Sequence, residues 1–403
     1  MSASATTVND NAWHVFLVFF RLGLTSFGGP IAHLGYFRTE FVERRCWIDD
    51  RGFSDLVALC QLLPGPTSSQ VGMALGLKRA GWLGLLAAWA GFTLPSAIAL
   101  ILFAFGIIQY QGWIESGWVH GLKIVAVAIV AQAVWNMAKS LCPDLPRAAL
   151  AVLAALLTLI LPTATGQIAA IVVGGLLGRW RLTLSQQTLS QAYVYPVSRT
   201  LGIVALLLFF GSLIALPLWA AVSGSSSVAL LQGVYYSGAL VFGGGHVVFP
   251  LLHAAVIPSG AVSSADFLAG YGAVQAVPGP LFAFAAYLGA VAQGPLHGWL
   301  GGFVLLAVIF LPACLVLIGA LPLWQSLRHR QGIQTTIAGI NASVVGILLS
   351  ALYDPVWTSA IHSTADFVLA LTAFGLLVYC GLPPVLVVLI AALGGWGILS
   401  LSI

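Results

Sequence analysis

Three short motifs from the first half of this chain recur, in the same order, in its second half. The copies stand 215, 214 and 217 positions apart, so their register drifts by only a few residues. Three matches in one register are hard to obtain by chance, and a fixed internal period indicates that one structural unit has been duplicated. The pairs are Gly23-x-x-x-Phe27-Gly28-Gly29 with Gly238-x-x-x-Phe242-Gly243-Gly244, Gln61-x-x-Pro64-Gly65-Pro66 with Gln275-x-x-Pro278-Gly279-Pro280, and Gly81-Trp82-Leu83-Gly84 with Gly298-Trp299-Leu300-Gly301.

The small number of charged residues indicates whether water or lipid surrounds the repeated unit. Hydrophobic residues make up 60% of the sequence and charged residues only 6%, whereas a soluble domain carries roughly 25% charged residues. So few charges cannot cover a surface that faces water, and hydrocarbon must therefore cover most of it. The apolar runs predict an all-α polytopic membrane protein with about 13 membrane segments, several of them shorter than a straight crossing needs.

The repeat also sets the domain organisation. We expect a first repeat in residues 1–180, a linker with a central membrane segment in 181–222, and a second repeat in 223–403. If every apolar run crosses once, the central segment inverts the second repeat relative to the first, which is the plan of many secondary transporters. The alternative is that runs 53–77 and 265–292 are re-entrant hairpins, because each contains a Pro-Gly-Pro break.

Basic residues between the apolar runs predict the orientation of the chain. With one crossing per run, the N-terminus and most Lys and Arg residues, including Lys78 and Arg79, fall on the cytoplasmic side. The C-terminus then falls outside. The loop 38–51, with four arginines, also falls outside and is an exception to the positive-inside rule.

The two Pro-Gly-Pro motifs cannot continue a helix, since each proline removes a backbone donor and clashes with the preceding turn. A helix that restarts within the membrane presents free N–H groups that attract an anion. The restart after the first motif begins with the hydroxyl residues Thr67 and Ser68, whereas the second begins with apolar Leu281. We therefore predict an anion site weighted toward the first half; the alternative is a proline kink that serves packing. The predicted binding residues at these breaks are Gln61, Pro64, Gly65, Pro66, Thr67, Ser68, Gln275, Pro278, Gly279 and Pro280.

Glycine clusters interrupt two other apolar runs, and four of their members are further candidates: Gly28, Gly29, Gly244 and Gly245. Glycine there either exposes backbone amides to a ligand or lets two helices approach closely.

Isolated ionisable residues within the apolar runs complete the candidate site. Arg21 and Lys123 lie inside predicted membrane segments, where a charge costs at least about 2.5–3.5 kcal/mol unless it faces a polar interior. Two cations suit a divalent oxyanion; snorkelling is the alternative, above all for Lys123. His33 and His246 flank the glycine breaks and are candidates for proton coupling, although a lone histidine is more often a satisfied hydrogen-bonding group.

The sequence has no nucleotide-binding loop, no dinucleotide fingerprint and no zinc-ligand spacing. We expect no enzyme activity, no cofactor, no metal and no nucleic-acid partner, and transport driven by an ion gradient or the membrane potential.

Together, the two glycine motifs, the charged stretch through Arg44, Arg45 and Asp50, and the two Pro-Gly-Pro motifs resemble the chromate ion transporter family in its long, two-domain form. The resemblance covers nearly the whole chain. It implies a multi-pass protein of the bacterial inner membrane that exports chromate and confers chromate resistance. Sulfate is the alternative substrate because it has the same charge and shape, and a homodimer is the alternative to a monomer in the bilayer. By the same resemblance, Arg21 and the paired motifs are the positions expected to matter.

The leading hypothesis is therefore gradient- or potential-driven chromate export, with Arg21, the Gly28–Gly29 amides and the helix start at Thr67 and Ser68 coordinating the ion. The alternatives are a transporter that imports sulfate or another oxyanion, an anion channel, and an intramembrane enzyme that acts on a lipid. The last would need a cluster of acid–base or metal-binding groups at depth, which the sequence does not contain.

Overall fold

A computed structural model describes residues 11–26, 29–109, 117–162, 164–183, 195–242, 247–324 and 331–401. All regular structure in these ranges is helical, as predicted. The helices are α1 Ala12–Thr25, α2 Gly29–Arg38, α3 Asp50–Leu62, α4 Thr67–Gln109, α5 Gly117–Leu141, α6 Leu145–Ile160, α7 Ala164–Arg181, α8 Arg199–Ser223, α9 Ser226–Ala239, α10 Val248–Val256, α11 Ser264–Ala276, α12 Phe284–Val291, α13 Gly298–Ala320, α14 Gln331–Ala351, α15 Thr364–Val378 and α16 Pro384–Leu401.

The first pair of helices is a hairpin that returns to the end of the molecule where it began. α1 ends when Ser26 turns to an extended conformation, and α2 begins at Gly29, whose positive φ of 78° favours glycine. His14, near the start of α1, lies 3.0 Å from a guanidinium nitrogen of Arg45, beyond the end of α2. Both helices therefore meet the same end of the molecule, and their break lies at depth.

The next pair, α3 and the first part of α4, is a second hairpin of the same kind. Its break is the first Pro-Gly-Pro motif, where Gly65 has a φ of 120°. The returning arm ends at a kink at Ala80 and Gly81, just after Arg79, whose guanidinium lies 5.1 Å from the ring centre of Trp47. This contact joins the end of the returning arm to the loop that precedes α3, so the run 53–77 re-enters.

The second half repeats both hairpins. α9 and α10 flank the second glycine break, while α11 and α12 flank the second Pro-Gly-Pro motif, with a short 3-10 turn at Leu281–Ala283 before α12. The four outer ends of these helices meet around one cavity of about 230 Å³. Ser226, Ser259 and Gln293 line it, and the Gln293 amide donates to the Ala261 carbonyl at 2.9 Å.

The two halves enter from opposite ends of the molecule. Beyond its kink, α4 runs away from Trp47 and ends beside the second half, where Phe105 lies 5.6 Å from Trp299. α13 runs the other way, and the residues after it, Leu321 and Trp324, join the buried cluster that contains Trp47. The repeats are therefore inverted with respect to each other, as the sequence predicted.

Basic residues are unevenly distributed between the two ends of the molecule. Arg38, Arg45, Lys78 and Arg79 lie at the end where the first-half hairpins enter, which we call the basic end. The connections at the opposite end, residues 224–225, 257–263 and 292–297, contain no Lys or Arg. From the positive-inside rule we expect the basic end to face the cytoplasm.

This arrangement corrects the topology predicted from one crossing per run. That prediction placed loop 38–51 outside and Lys78 with Arg79 inside, whereas the structure places them side by side. The physical reason is that a re-entrant hairpin returns to the face it entered, which strict alternation does not allow. The arginine-rich loop consequently ceases to be an exception to the positive-inside rule.

The remaining helices form the membrane frame around the hairpins. Five helical stretches in the described residues are long and apolar enough to cross a bilayer: Thr67–Gln109, His120–Lys139, Arg199–Ser223, Gly298–Ala320 and Gly332–Ala360. α8 crosses within the predicted linker and exposes apolar side chains such as Leu207 and Phe210. The total of about 13 membrane segments stays a prediction.

Candidate functional site

The tips of the hairpins meet at the centre of the molecule through a reciprocal exchange of hydrogen bonds. The Gly65 amide of the first Pro-Gly-Pro motif donates to the Val241 carbonyl at the second glycine break, at 2.7 Å. The Gly279 amide of the second motif donates to the Ser26 carbonyl at the first glycine break, at 2.9 Å. Each half therefore satisfies backbone groups that the broken helices of the other half leave free.

Only glycine fits the centres of the two Pro-Gly-Pro motifs. Gly65 and Gly279 both have positive φ values, 120° and 104°. A Cβ built on Gly65 would lie 2.6 Å from the Cβ of Ala313 on α13, and one built on Gly279 would lie 2.8 Å from the Ser96 hydroxyl on α4. Each motif thus packs against the long helix of the opposite half, one residue after that helix's internal proline.

A group of buried polar side chains, which we call the central cluster, surrounds the first-half tips. His33 Nε2 lies 3.2 Å from the Ser26 carbonyl oxygen, which can only accept, so Nε2 carries the proton in the neutral ring. Nδ1 is then an acceptor, and it lies 3.4 Å from the Ser68 hydroxyl, which donates to it. The ring also packs edge-on against Phe92, at 5.2 Å. The members of the central cluster are Ser26, His33, Ser68, Ser69, Gln70, Thr93 and Ser96.

Several oxygens in this cluster are buried without a hydrogen-bond partner. They include the hydroxyls of Ser26, Ser69 and Thr93 and the amide oxygen of Gln70. The Gln70 nitrogen, by contrast, donates to the Pro64 carbonyl at 2.9 Å and the Ala313 carbonyl at 3.3 Å. Unpaired buried polar groups are uncommon in proteins and mark places where a ligand or water binds.

The start of α4 adds backbone donors to the same place. The first hydrogen bond within α4 runs from the backbone N–H of Gln70 to the Pro66 carbonyl. The backbone N–H groups of Thr67, Ser68 and Ser69 come before it and have no acceptor within the helix. The dipole of the helix places partial positive charge at these amides. Hydroxyls and amides together form a set of donors suited to the oxygen atoms of a small anion.

The second half has no such cluster at the equivalent positions. Applying the offsets of the repeats, Val241 stands in place of Ser26, Val248 in place of His33, and Ala313 in place of Ser96. The residues after the second Pro-Gly-Pro motif, Leu281–Ala283 and Phe284, are apolar and buried. At these described positions, apolar residues of the second half thus take the place of polar residues of the first.

The other predicted site residues lie apart from the central cluster or outside the described residues. Gln61 is exposed, whereas the amide nitrogen of Gln275 is buried without a partner. Lys123 is half-buried and lies within electrostatic range of Asp266. Gly29 begins α2 at the first break. Outside the described residues lie Gly28, Gly244, Gly245 and His246.

Arg21 is exposed on α1. It lines a cavity of about 680 Å³ between α1 and α2. Neither His33 nor Ser68 is among the residues that line this cavity. The part of Arg21 in binding the ion stays a prediction.

Five members of the central cluster were not among the predicted site residues: Ser26, Ser69, Gln70, Thr93 and Ser96. Each lies within four residues of a recognised break or internal proline. A position-by-position comparison of the two repeats, looking for polar residues whose counterparts are apolar, would have identified them. Among the described residues no group of three His, Cys, Asp or Glu side chains could hold a metal ion.

Comparison with known proteins matches both halves of the chain to one family. The sequence model of the family described as "Chromate transporter" matches residues 13–179 and again 228–396. The "Chromate transport protein" of Pseudomonas aeruginosa is 27% identical over 407 residues, covering 95% of this chain and 91% of that protein. The protein of the same name from Cupriavidus metallidurans is 24% identical over 346 residues, covering 83% and 80%. No solved structure is detectably similar.

Proposed function

This chain belongs to the chromate transporter family, and we propose that it is a secondary active transporter that exports chromate across the bacterial inner membrane and so confers chromate resistance. The observation that carries the proposal is the one-sided polar cluster at the tips of broken helices that are otherwise duplicated. Broken helices that meet near mid-membrane are the usual place for a substrate in inverted-repeat transporters.

The proposed ion site lies at the first-half tips. Thr67 and Ser68 offer hydroxyls and backbone amides at the start of α4, and Gly29 offers its amide at the start of α2. Gly28, the other predicted glycine of this motif, lies outside the described residues. Two helix starts that converge on one point attract a dianion more strongly than a single helix start does, because the partial positive charges of the two starts add. The site is enclosed, and hydrogen bonds are stronger there than in water.

The second-half residues of the proposed site serve as scaffold and gate. Gly279, between Pro278 and Pro280, donates its backbone amide to the Ser26 carbonyl, and Gln275 contributes an unpaired side-chain amide nitrogen. Movement of this motif would shift Ser26 and, through it, His33. The two repeats, 1–180 and 223–403, would thus move as coupled bodies joined by the segment 181–222.

We further propose that His33 couples transport to protons. Its Nδ1 accepts from Ser68 in the neutral ring. Protonation would turn Nδ1 into a donor and force the Ser68 hydroxyl to point elsewhere, which changes the donors offered to the ion. His246, which follows the second glycine motif in the sequence, is the other candidate for proton coupling and lies outside the described residues.

Sulfate is the second candidate substrate. The donors of the central cluster would contact the oxygen atoms of a tetrahedral dianion and not its central atom. Such a site separates substrates by size and charge, in which chromate and sulfate are alike, so sulfate should compete with chromate.

Flux of labelled chromate into inverted membrane vesicles tests the proposal, since uptake there equals export from the cell. Wild-type vesicles should accumulate chromate when a proton gradient or membrane potential is imposed, and vesicles without the protein should not. Chromate that only reaches its own electrochemical equilibrium, with no accumulation driven by the proton gradient, would indicate a channel. Sulfate uptake without any chromate uptake would assign the alternative substrate.

A further inference from the structure

The cavity between α1 and α2 has a volume of about 680 Å³, and no member of the central cluster lines it. It extends from Arg44 and Glu40 at the basic end to Thr25, which is the last residue of α1 before the break. Its volume of about 680 Å³ leaves room for an ion that keeps part of its water, given about 30 Å³ for each water molecule. A small ion from the cytoplasm could therefore travel along it to the hairpin tips.

Two arginines give this cavity its charge. Arg21 has no acidic partner among the residues that the structure describes, although it lies inside an apolar helix. Arg44 pairs with Glu40 at 3.0 Å, but Arg45 holds the same carboxylate at 2.6 Å. The Glu40 side chain is 11% exposed and that of Arg44 is 59% exposed, so Arg44 keeps donors free toward the cavity.

In the second half the equivalent helices touch, and neutral residues stand in place of the two arginines. Val18 and Glu40 line the cavity in the first half, whereas their counterparts Gly233 and Ala255 touch, since a Cβ built on Gly233 would lie 2.7 Å from that of Ala255. Tyr236 takes the place of Arg21, and Ser259 takes that of Arg44. Packing and charge thus differ at the same positions of one duplicated hairpin.

We propose that Arg21 and Arg44 form an outer oxyanion site that loads the ion from the cytoplasm before it reaches the central cluster. The site takes a small tetrahedral dianion and rests on the proposed transport function. Tyr36, which also lines the cavity, supplies a hydroxyl donor. An unpaired arginine within the membrane is costly, and an anion that visits it offsets that cost.

Kinetics of chromate uptake into inverted vesicles separate an outer loading site from the central one. Arg21→Gln and Arg44→Gln should each raise KM for chromate by about tenfold, as expected for one lost charge-assisted contact, with little change in kcat. Arg21→Lys should recover most of the affinity. Arg181→Gln removes the same charge away from the cavity and should leave KM unchanged. Unaltered KM in both cavity variants, in vesicles that still transport chromate, would refute the outer site and leave the transport function intact.

Equilibrium binding tests the outer site without transport. Purified wild-type protein should bind two labelled chromate or sulfate ions per chain, and the Arg21→Gln/Arg44→Gln double variant should bind one. A single ion bound by both proteins would overturn the proposal. Two ions bound by a wild type that transports neither ion would support the outer site while contradicting the transport function.

Discussion

Ser68 and His33 are the pair on which the chemistry at the centre of this molecule depends. The Ser68 hydroxyl is buried, stands at the start of α4 and points at His33 Nδ1. Its counterpart in the second half, Phe282, is equally buried and has no polar atom in its side chain. Sequence alone indicated Ser68 through the Pro-Gly-Pro motif and His33 through its place beside a glycine break. Their contact, 35 positions apart in the chain, depends on how two hairpins pack, which no local pattern encodes.

Ser68→Ala should reduce the rate of chromate export by about tenfold, because it removes one hydrogen bond from a charged substrate. The matched control is Ser54→Ala, since Ser54 is exposed on α3 and donates only to the Asp50 carbonyl. Initial rates in inverted vesicles at equal protein content measure both. A Ser68→Ala protein that transports at the wild-type rate would remove Ser68 from the ion site.

His33→Gln should uncouple export from the pH gradient. The glutamine amide can still donate to the Ser26 carbonyl, so the tip should stay folded, but it cannot take up a proton. We expect uptake driven by an imposed membrane potential to persist, and uptake driven by a pH gradient to vanish. Persistence of the response to pH in His33→Gln would assign proton coupling to another group.

At the scale of elements, the re-entrant hairpins with reciprocal contacts between their tips organise the fold. The prolines and glycines of the motifs predicted where helices break, and the structure confirms both Pro-Gly-Pro breaks. Which way the chain turns after a break depends on contacts such as Arg79 with Trp47. That contact joins side chains of two different hairpins, which a hydropathy profile does not show. Hydropathy therefore indicated re-entry only as an alternative to a single crossing.

Gly279→Ala should destabilise the protein. The residue has a φ of 104°, and an added Cβ would overlap the Ser96 hydroxyl. A backbone strained in this way costs about 1–3 kcal/mol before any overlap is counted. Gly211→Ala is the control, because a Cβ there meets nothing within 4 Å and α8 gains helix propensity. Thermal unfolding in detergent should show a lower midpoint for Gly279→Ala only, and equal midpoints for the two variants would contradict the packing described here.

At the scale of the whole molecule, the two repeats are inverted relative to each other and differ in the polar side chains that they carry. The repeat and its inversion could be predicted from the sequence, because motif order and basic residues are visible there. The location of Arg21 could not, since a helix shows which residues share a face but not which face meets a cavity. In the first half, buried polar side chains lie at the hairpin tips, and Arg21 lines a separate cavity.

The corrected topology makes Cys46 a reporter of the basic end. Cys46 is exposed in the loop before α3, so in a variant whose other cysteines are replaced it should react with an impermeant thiol reagent from the cytoplasmic side only. In the same background without Cys46, Ser259→Cys should react from the opposite side only. Labelling of Cys46 from outside would restore the alternation of one crossing per run and reject re-entrant hairpins.

The most direct test of the central claim, that one half of a duplicated transporter holds the ion, is to locate bound chromate by the anomalous scattering of chromium. We predict a chromium peak within hydrogen-bonding reach of the Ser68 hydroxyl, beside His33, and no peak beside Phe282. A weaker peak between Arg21 and Arg44 would mark the outer site. Chromium density of equal height at both sets of hairpin tips, or density only beside Phe282 and Val248, would contradict the account.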